Sequence, residues 1–170
     1  MIFTTKAEYG VRLLVDLGKA ESGDPVALKA IAEHEGLPLA YLERIVALLR
    51  KAGIVESTRG ARGGYLLSRD PSEIRMDTVI QALDGPIAPM SCFIDDSTPA
   101  ELNKVVCSHP ALDENGNPCG TKLLWTRVHG GVVRALQQTT LADLIAFEQG
   151  GVGALAARRP TGDELPVVTA

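Results

Sequence analysis

The chain has 170 residues, of which 45% are hydrophobic and 4% aromatic, and its net charge is −4. This length suits one core with appendages, and the composition indicates helices packed through Leu, Val, Ile and Ala. The acidic total argues against a uniformly basic nucleic-acid binder. Apolar runs of membrane-spanning length and a signal-peptide layout are missing from the sequence, so we expect a cytoplasmic protein with no membrane partner.

The first helix is predicted to begin near Thr5. Thr5 and Glu8 have the spacing of a capping box, in which a threonine hydroxyl and a glutamate carboxylate satisfy backbone N–H groups at a helix start. Apolar residues at helical spacing then predict a buried stripe of Ala7, Val11, Leu14 and Leu17.

A short helix, a tight turn and a longer helix are predicted between residues 27 and 53. Gly36 stands where the short helix should stop, because the residue past a helix end often adopts a left-handed conformation. Pro38 suits the first turn of the longer helix, which Gly53 ends. The core-facing positions of the longer helix are Leu42, Ile45, Val46 and Leu49. The opposite face carries Ala40, Tyr41, Glu43, Arg44, Ala47 and Lys51.

That opposite face has two interpretations. It is either the solvated side of an ordinary helical pair or a surface whose small and polar residues approach bases and phosphates. The spacing of the two helices and their turn is that of a helix-turn-helix.

The next segment predicts a β-hairpin with a basic, glycine-rich tip. Residues 54–57 and 65–68 favour strands, and the connection between them contains three glycines together with Arg59 and Arg62. Arginine on such a tip suits a minor groove or phosphates. A nucleotide-binding loop is the alternative, but the Walker lysine is missing. Residues 41–75 hold seven Arg and Lys against four Asp and Glu, so positive charge is concentrated here.

Three further helical segments are predicted. Residues 70–73 signal a turn or helix start, and Asp77 is expected to cap a short helix that residues 84–86 close. A long helix begins near Thr121, and its wide apolar stripe predicts contact with a second copy of the chain. Thr140 is expected to cap a last short helix. The apolar stripe of the long helix contains Leu124, Val128, Val132 and Leu136.

The three cysteines, Cys92, Cys107 and Cys119, all fall between residues 86 and 120, where regular patterns are missing. An odd number of cysteines and a reducing compartment argue against disulfides. Three unrelated buried thiols, a zinc site completed by His109, and an iron–sulfur site remain as interpretations.

Three stretches carry a family resemblance: residues 40–45, 48–57 and 59–67, which read AYLERI, LLRKAGIVES and RGARGGYLL. They resemble the IscR/NsrR-type (Rrf) family of bacterial winged-helix repressors over roughly residues 1–150. The resemblance implies a homodimer on a partly palindromic double-stranded operator, with the longer helix in the major groove and Arg59 in the minor groove. The resemblance implies that Tyr41, Glu43 and Arg44 lie near bases or backbone. Together with the other residues of the exposed helix face and the hairpin tip, the expected DNA-binding set is Ala40, Tyr41, Glu43, Arg44, Arg59, Gly60 and Arg62.

The resemblance also favours an iron–sulfur cluster on the three cysteines, with [2Fe-2S] expected and [4Fe-4S] as the alternative. The chain departs from the family in its wider cysteine spacing and in having Lys122 where IscR has a histidine ligand. Glu8 of the partner subunit matches the acidic ligand of NsrR-like members, although the capping box gives it a structural role. His109 and His34 are alternative ligands.

The expected fold is mainly α with a small β-hairpin wing, a winged helix-turn-helix followed by a long dimerisation helix. The expected organisation is a DNA-binding domain over residues 1–85, a cluster-binding loop over 86–120, a dimerisation helix with a short following helix over 121–148, and a tail over 149–170. The expected function is an iron–sulfur-controlled transcription regulator, with a cluster-free regulator using a thiol switch or zinc as the alternative. The sequence has no catalytic constellation, so we expect no enzyme activity.

Overall fold

A computed structural model describes residues 3–20, 24–60, 63–87 and 120–150. The order of its elements confirms a mainly helical chain with one antiparallel hairpin. The helices are α1 (Thr5–Lys19), α2 (Leu28–Glu35), α3 (Leu39–Lys51), α4 (Met76–Asp84), α5 (Gly120–Gln138) and α6 (Leu141–Gly150), with a 3-10 turn at Pro71–Glu73 before α4. The strands are β1 (Val55–Thr58) and β2 (Gly64–Leu67).

Helix α1 is the central element, because α2, α3, α4, α6 and β2 all contact it. Two of its glycines make this close packing possible. A Cβ on Gly10 would lie 2.4 Å from Leu83 of α4, and a Cβ on Gly18 would lie 2.4 Å from Ile145 of α6. The core between these helices includes fully buried leucine and isoleucine side chains from four of them, namely Leu13, Leu14, Ile31, Leu42, Ile45, Leu49 and Leu141.

The start of α1 differs from the prediction. The N-cap is Thr4, with no capping hydrogen bond from its side chain, so the predicted box of Thr5 and Glu8 is wrong. The Thr4 backbone N–H and hydroxyl instead donate to the carboxylate of Asp84 at the end of α4, over 2.9 and 2.5 Å. Lys6 lies 3.4 Å from the same carboxylate. The N-terminus of α1 is therefore held by Asp84, which is distant in the sequence, and not by the nearby Glu8.

Helix α6 has the capping box that α1 lacks, as predicted for Thr140. The Thr140 backbone N–H and hydroxyl donate to Asp143 over 2.9 and 2.7 Å, and the Asp143 N–H donates back to the Thr140 hydroxyl over 3.3 Å. The backbone of Leu141 also bonds to Ile74, and Leu141 itself is fully buried. These contacts join α6 to the segment before α4.

Helix α4 begins one residue earlier than its predicted cap. Arg75 is the N-cap, and Asp77 lies within the first turn. The Asp77 side chain is buried, and it accepts hydrogen bonds from the Arg75 guanidinium and from the backbone N–H of Thr78. This burial is compatible with a charge because the carboxylate is paired with arginine.

Helix α5 has one packed side and an exposed N-terminal half. Val132, Val133 and Leu136 pack against a second small core, formed by Ala7, Ile80 and Ile87. Leu123 and Leu124 are each 56% exposed. None of the helices in the described ranges is long and apolar enough to span a membrane.

Candidate nucleic-acid interface

The helix-turn-helix is built by α2, a three-residue turn and α3. Gly36 ends α2 with a φ of +66°, and its N–H donates to the carbonyl of Ala32. Leu37 is buried, which fixes the turn against the core. Pro38 is the N-cap of α3, and its carbonyl accepts from the N–H groups of Tyr41 and Leu42. Gly36 therefore ends α2 as predicted, and Pro38 marks the start of α3.

Helix α3 separates an apolar face from a polar face. The four predicted core residues, Leu42, Ile45, Val46 and Leu49, are all at most 2% exposed. On the opposite face, Ala40, Glu43, Arg44, Ala47 and Lys51 are exposed. Within the described ranges the side chains of Glu43 and Arg44 form no hydrogen bond or ion pair. These two groups can therefore engage a ligand without first breaking an internal contact.

Tyr41 has a second role beside its place in the candidate interface. It is half-buried, and its ring lies edge-on to that of Tyr9 in α1, with ring centroids 5.8 Å apart and an angle of 87° between the planes. This is a favourable geometry for two aromatic rings. The pair connects the start of α3 directly to α1.

The hairpin places its tip at the surface. β1 and β2 pair antiparallel, with Thr58 opposite Gly64. Val26 exchanges two backbone hydrogen bonds with Tyr65, which ties the hairpin to the segment before α2. At the tip, Arg59 and Gly60 are exposed. The third predicted residue of the tip, Arg62, lies outside the described residues.

The second glycine of the sequence Arg-Gly-Gly has a steric explanation. A Cβ on Gly64 would lie 2.5 Å from the carbonyl oxygen of Val26, closer than side-chain carbons come to a backbone atom. Only glycine allows β2 to approach this segment so closely. This glycine of the predicted tip is therefore required by packing.

Of the candidate metal ligands, only Glu8 and His34 lie within the described residues. Cys92, Cys107, Cys119 and His109 lie outside the described residues. Glu8 is exposed in the first turn of α1, and within the described part of the chain its carboxylate has no hydrogen bond or salt bridge. His34 lies at the end of α2, where its Nδ1 is 2.8 Å from Asp16 of α1.

Ion pairs surround His34 at the contact of α1 with α2. Its hydrogen bond with Asp16 raises the pKa of His34 above its ordinary value. Glu35 pairs with the Nε of Arg12 at 2.5 Å. Lys19 lies 3.8 Å from Asp16 and pairs with Glu148 of α6, and the Glu148 hydrogen bond raises the pKa of Lys19. No local sequence pattern indicates this network, because its members are far apart in the chain.

These features define a winged helix-turn-helix protein. The family model described as "Rrf2: Iron-dependent Transcriptional regulator" matches residues 3–147. The chain belongs to this family of transcription regulators, which confirms the resemblance seen in its motifs and the expectation that it is not an enzyme.

Individual members of the family show the same similarity over most of their length. The HTH-type transcriptional regulator CymR of Bacillus subtilis (strain 168) is 35% identical over 150 residues, covering 88% of this chain and 94% of that protein. The solved structure of CymR, the global cysteine regulator of B. subtilis, superimposes with a TM-score of 0.66 at 34% identity, covering 86% of this chain and 98% of that one. The structure of T. potens IscR gives a TM-score of 0.63 at 31% identity, covering 95% and 94%.

Proposed function

We propose that this regulator binds a partly palindromic operator as a homodimer and that an iron–sulfur cluster on its cysteines controls the affinity. The carrying observation is the exposed face of α3, whose Glu43 and Arg44 side chains have no partner among the described residues, beside a hairpin tip that exposes Arg59. A helix with small and charged exposed residues fits a major groove, and an arginine on a hairpin fits a minor groove.

The candidate contacts divide by chemistry. Arg44 and Glu43 are the groups of α3 that can hydrogen-bond base edges, and Ala40 allows the helix to approach closely. Arg59 supplies charge at the wing, where Gly60 follows it directly in the sequence and Arg62 comes three residues after it. Tyr41 positions α3 through its contact with Tyr9.

The DNA part of the proposal is tested by Arg59→Ala in a binding assay across a salt series. Loss of one phosphate or groove contact should weaken binding about ten-fold. It should also lower the magnitude of the slope of log K against log salt concentration by about 1. The control is Arg134→Ala, an exposed arginine on α5. Equal affinity of the Arg59 variant and the control at every salt concentration would contradict the role of the wing.

The cluster part rests on the donor set of the chain. Three cysteines supply thiolates, the ligands that iron–sulfur clusters use. Glu8 adds an exposed carboxylate with no partner among the described residues. It can therefore bind the cluster held by the partner subunit without losing a structural contact. When bound, the cluster supplies a centre that responds to redox state, nitric oxide or iron supply. We favour [2Fe-2S] over [4Fe-4S].

The position of Glu8 offers a route from the cluster to DNA. The next residue, Tyr9, packs edge-on against Tyr41 at the start of α3. A shift of α1 at Glu8 would therefore reach the recognition helix through one aromatic contact. Coupling between two sites typically amounts to about 1–3 kcal/mol, or roughly 5- to 150-fold in affinity.

Visible spectroscopy of anaerobically purified protein, with iron and sulfide analysis, tests the cluster. Alanine at Cys107 or Cys119 should bleach the spectrum, and alanine at Cys92 should do so if this residue is also a ligand. Glu8→Ala should shift the spectrum, whereas Glu33→Ala, an exposed glutamate of α2, should not. Colourless protein with stoichiometric zinc would refute the cluster and favour a cluster-free regulator, without affecting the DNA proposal.

The proposed organisation of the chain follows these roles. Residues 1–85 bind DNA, residues 86–120 hold the cluster, residues 121–148 contain the dimerisation helix and the short helix after it, and residues 149–170 form a tail. The exposed Leu123 and Leu124 on α5 support a second copy as the partner of this helix.

A further inference from the structure

Asp16, His34 and Glu35 bring two carboxylates and one imidazole together where α1 contacts α2. We call these three residues the α1–α2 cluster. Asp16 lies in the fourth turn of α1, and the other two end α2. One ligand atom from each residue lies within 4.8 Å of the other two. The cluster contains no residue of the candidate DNA-binding face of α3.

The distances between its atoms suit a metal ion. His34 Nδ1 is 2.8 Å from Asp16 Oδ2 and 3.5 Å from Glu35 Oε1. A metal ion bound to nitrogen and oxygen at about 2.0–2.2 Å has ligand atoms about 3.0–3.5 Å apart, depending on its geometry. An ion could therefore replace the hydrogen-bonding proton with only small movements of the side chains.

Each carboxylate offers one oxygen to His34 and directs its other oxygen to a cation. Asp16 Oδ1 lies 3.8 Å from the Lys19 ammonium, and Glu35 Oε2 lies 2.5 Å from the Arg12 guanidinium. Arg12 also donates to the Glu35 backbone carbonyl over 2.9 Å. Such outer partners orient ligand oxygens in metal sites. They leave Oδ2 of Asp16 and Oε1 of Glu35 directed towards the imidazole.

Burial of the cluster is asymmetric, which suits an ion with water ligands. The Asp16 and Glu35 side chains are only 9% and 14% exposed, whereas His34 is 67% exposed. The carboxylates therefore lie on the inner side of the cluster, and the imidazole lies on its solvent side.

We propose that the α1–α2 cluster binds one divalent first-row transition-metal ion through Asp16 Oδ2, Glu35 Oε1 and His34 Nδ1. Mixed imidazole and carboxylate ligands suit ions of the Mn²⁺ to Zn²⁺ series. The bound ion links α1 to α2, the first helix of the helix-turn-helix. It thereby fixes this helix through three residues that include no cysteine.

Mn²⁺ titration of the full-length protein, followed by electron paramagnetic resonance, tests the site. Mn²⁺ prefers oxygen and imidazole ligands to thiolates, so the cysteines compete little for it. We expect one Mn²⁺ per chain, with binding weakened at least ten-fold in His34→Gln and in Glu35→Gln. Glutamine at position 34 can still hydrogen-bond Asp16, so this variant removes the ligand while keeping the helix contact.

The matched control is Glu33→Gln, on the same helix and one residue from His34. Glu33 is 71% exposed and pairs with Lys29, so this variant should bind Mn²⁺ like the wild-type protein. Mn²⁺ should also raise the melting temperature of the wild type and of this control, and not that of His34→Gln. Absence of stoichiometric binding, or equal binding by the wild type and the folded variants at positions 34 and 35, would show that the cluster is an ion-pair network only.

Discussion

Asp84 shows how one side chain can hold two helix ends together. Its carboxylate accepts both hydrogen bonds from Thr4 and lies near Lys6. Burial raises the pKa of Asp84, but the hydrogen bonds from Thr4 and Lys6 outweigh it, so the pKa lies below its ordinary value. Asp84 therefore stabilises the fold above the pKa of the unfolded chain, about 3.9, and this contribution is lost as the pH falls through the folded-state value.

Replacement of Asp84 by asparagine should lower the free energy of unfolding at pH 7 by about 1–3 kcal/mol, because asparagine loses the charge-assisted hydrogen bonds. Urea unfolding of the variant and the wild type from pH 7 to pH 3 measures this difference. The difference should shrink as the pH falls below the unfolded-chain pKa of about 3.9 and through the lower folded-state pKa of Asp84, because protonation removes the charge. The exposed Asp24→Asn should change little. A difference that does not depend on pH would refute the role of the charge.

The sequence contained the correct capping pattern twice, but only one of the two instances forms. Thr5 with Glu8 and Thr140 with Asp143 have the same spacing. The second pair forms the capping box, whereas the N-cap of α1 is Thr4, whose hydroxyl donates to Asp84. A local pattern cannot reveal a competing acceptor eighty residues away. This is why the alternative role of Glu8 as a cap was wrong.

Among the elements, the wing depends on a close approach between β2 and the segment before α2. A methyl group on Gly64 would meet the Val26 carbonyl oxygen at 2.5 Å and would disturb the hydrogen bonds between Val26 and Tyr65. We expect Gly64→Ala to destabilise the protein by about 1–3 kcal/mol, a typical cost of overpacking, and to weaken DNA binding by displacing the wing. Chemical unfolding and a DNA-binding assay measure the two effects.

Thr58→Ala is the matched control, because Thr58 faces Gly64 across the hairpin and its side chain is exposed. It should leave DNA affinity within about two-fold of the wild type, in keeping with the small effect of most surface substitutions. If Gly64→Ala retained both stability and affinity, the close contact with Val26 would not constrain the wing.

Elements with local signals were predicted closely. Gly36, Pro38 and Gly53 mark the ends of α2 and α3 correctly, and both strands lie within one residue of their predicted ranges. These boundaries depend on backbone conformations that only a few residue types adopt. The roles of Gly10 and Gly18 were not predicted, because each depends on a side chain of a distant helix, Leu83 or Ile145.

At the scale of the whole molecule, the candidate DNA-binding residues stay a prediction from family resemblance, and no sequence pattern indicated the α1–α2 cluster. Asp16 and His34 are eighteen residues apart and match no metal-binding motif. Their proximity results from the packing of α2 on α1. Helix α1 also contacts α3 through Tyr9, and it carries the exposed Glu8 in its first turn.

The assembly of the molecule is expected to depend on the exposed half of α5. Leu124 is 56% exposed, whereas Val132 on the same helix packs against Ile80 and Ile87 within the chain. A charge at position 124 should therefore break contact between subunits and leave each fold intact. A charge at position 132 should unfold the chain, because a charge buried without a partner is costly.

Light scattering after size-exclusion chromatography should find Leu124→Asp shifted towards monomer, with a circular dichroism spectrum like that of the wild type. Burial of one leucine contributes about 1.5–3 kcal/mol, and a symmetric dimer loses two such contacts. Thr126→Asp adds the same charge at an exposed position of the same helix and separates a specific contact from charge repulsion. A stable dimer of Leu124→Asp at low concentration would place the subunit interface on another surface.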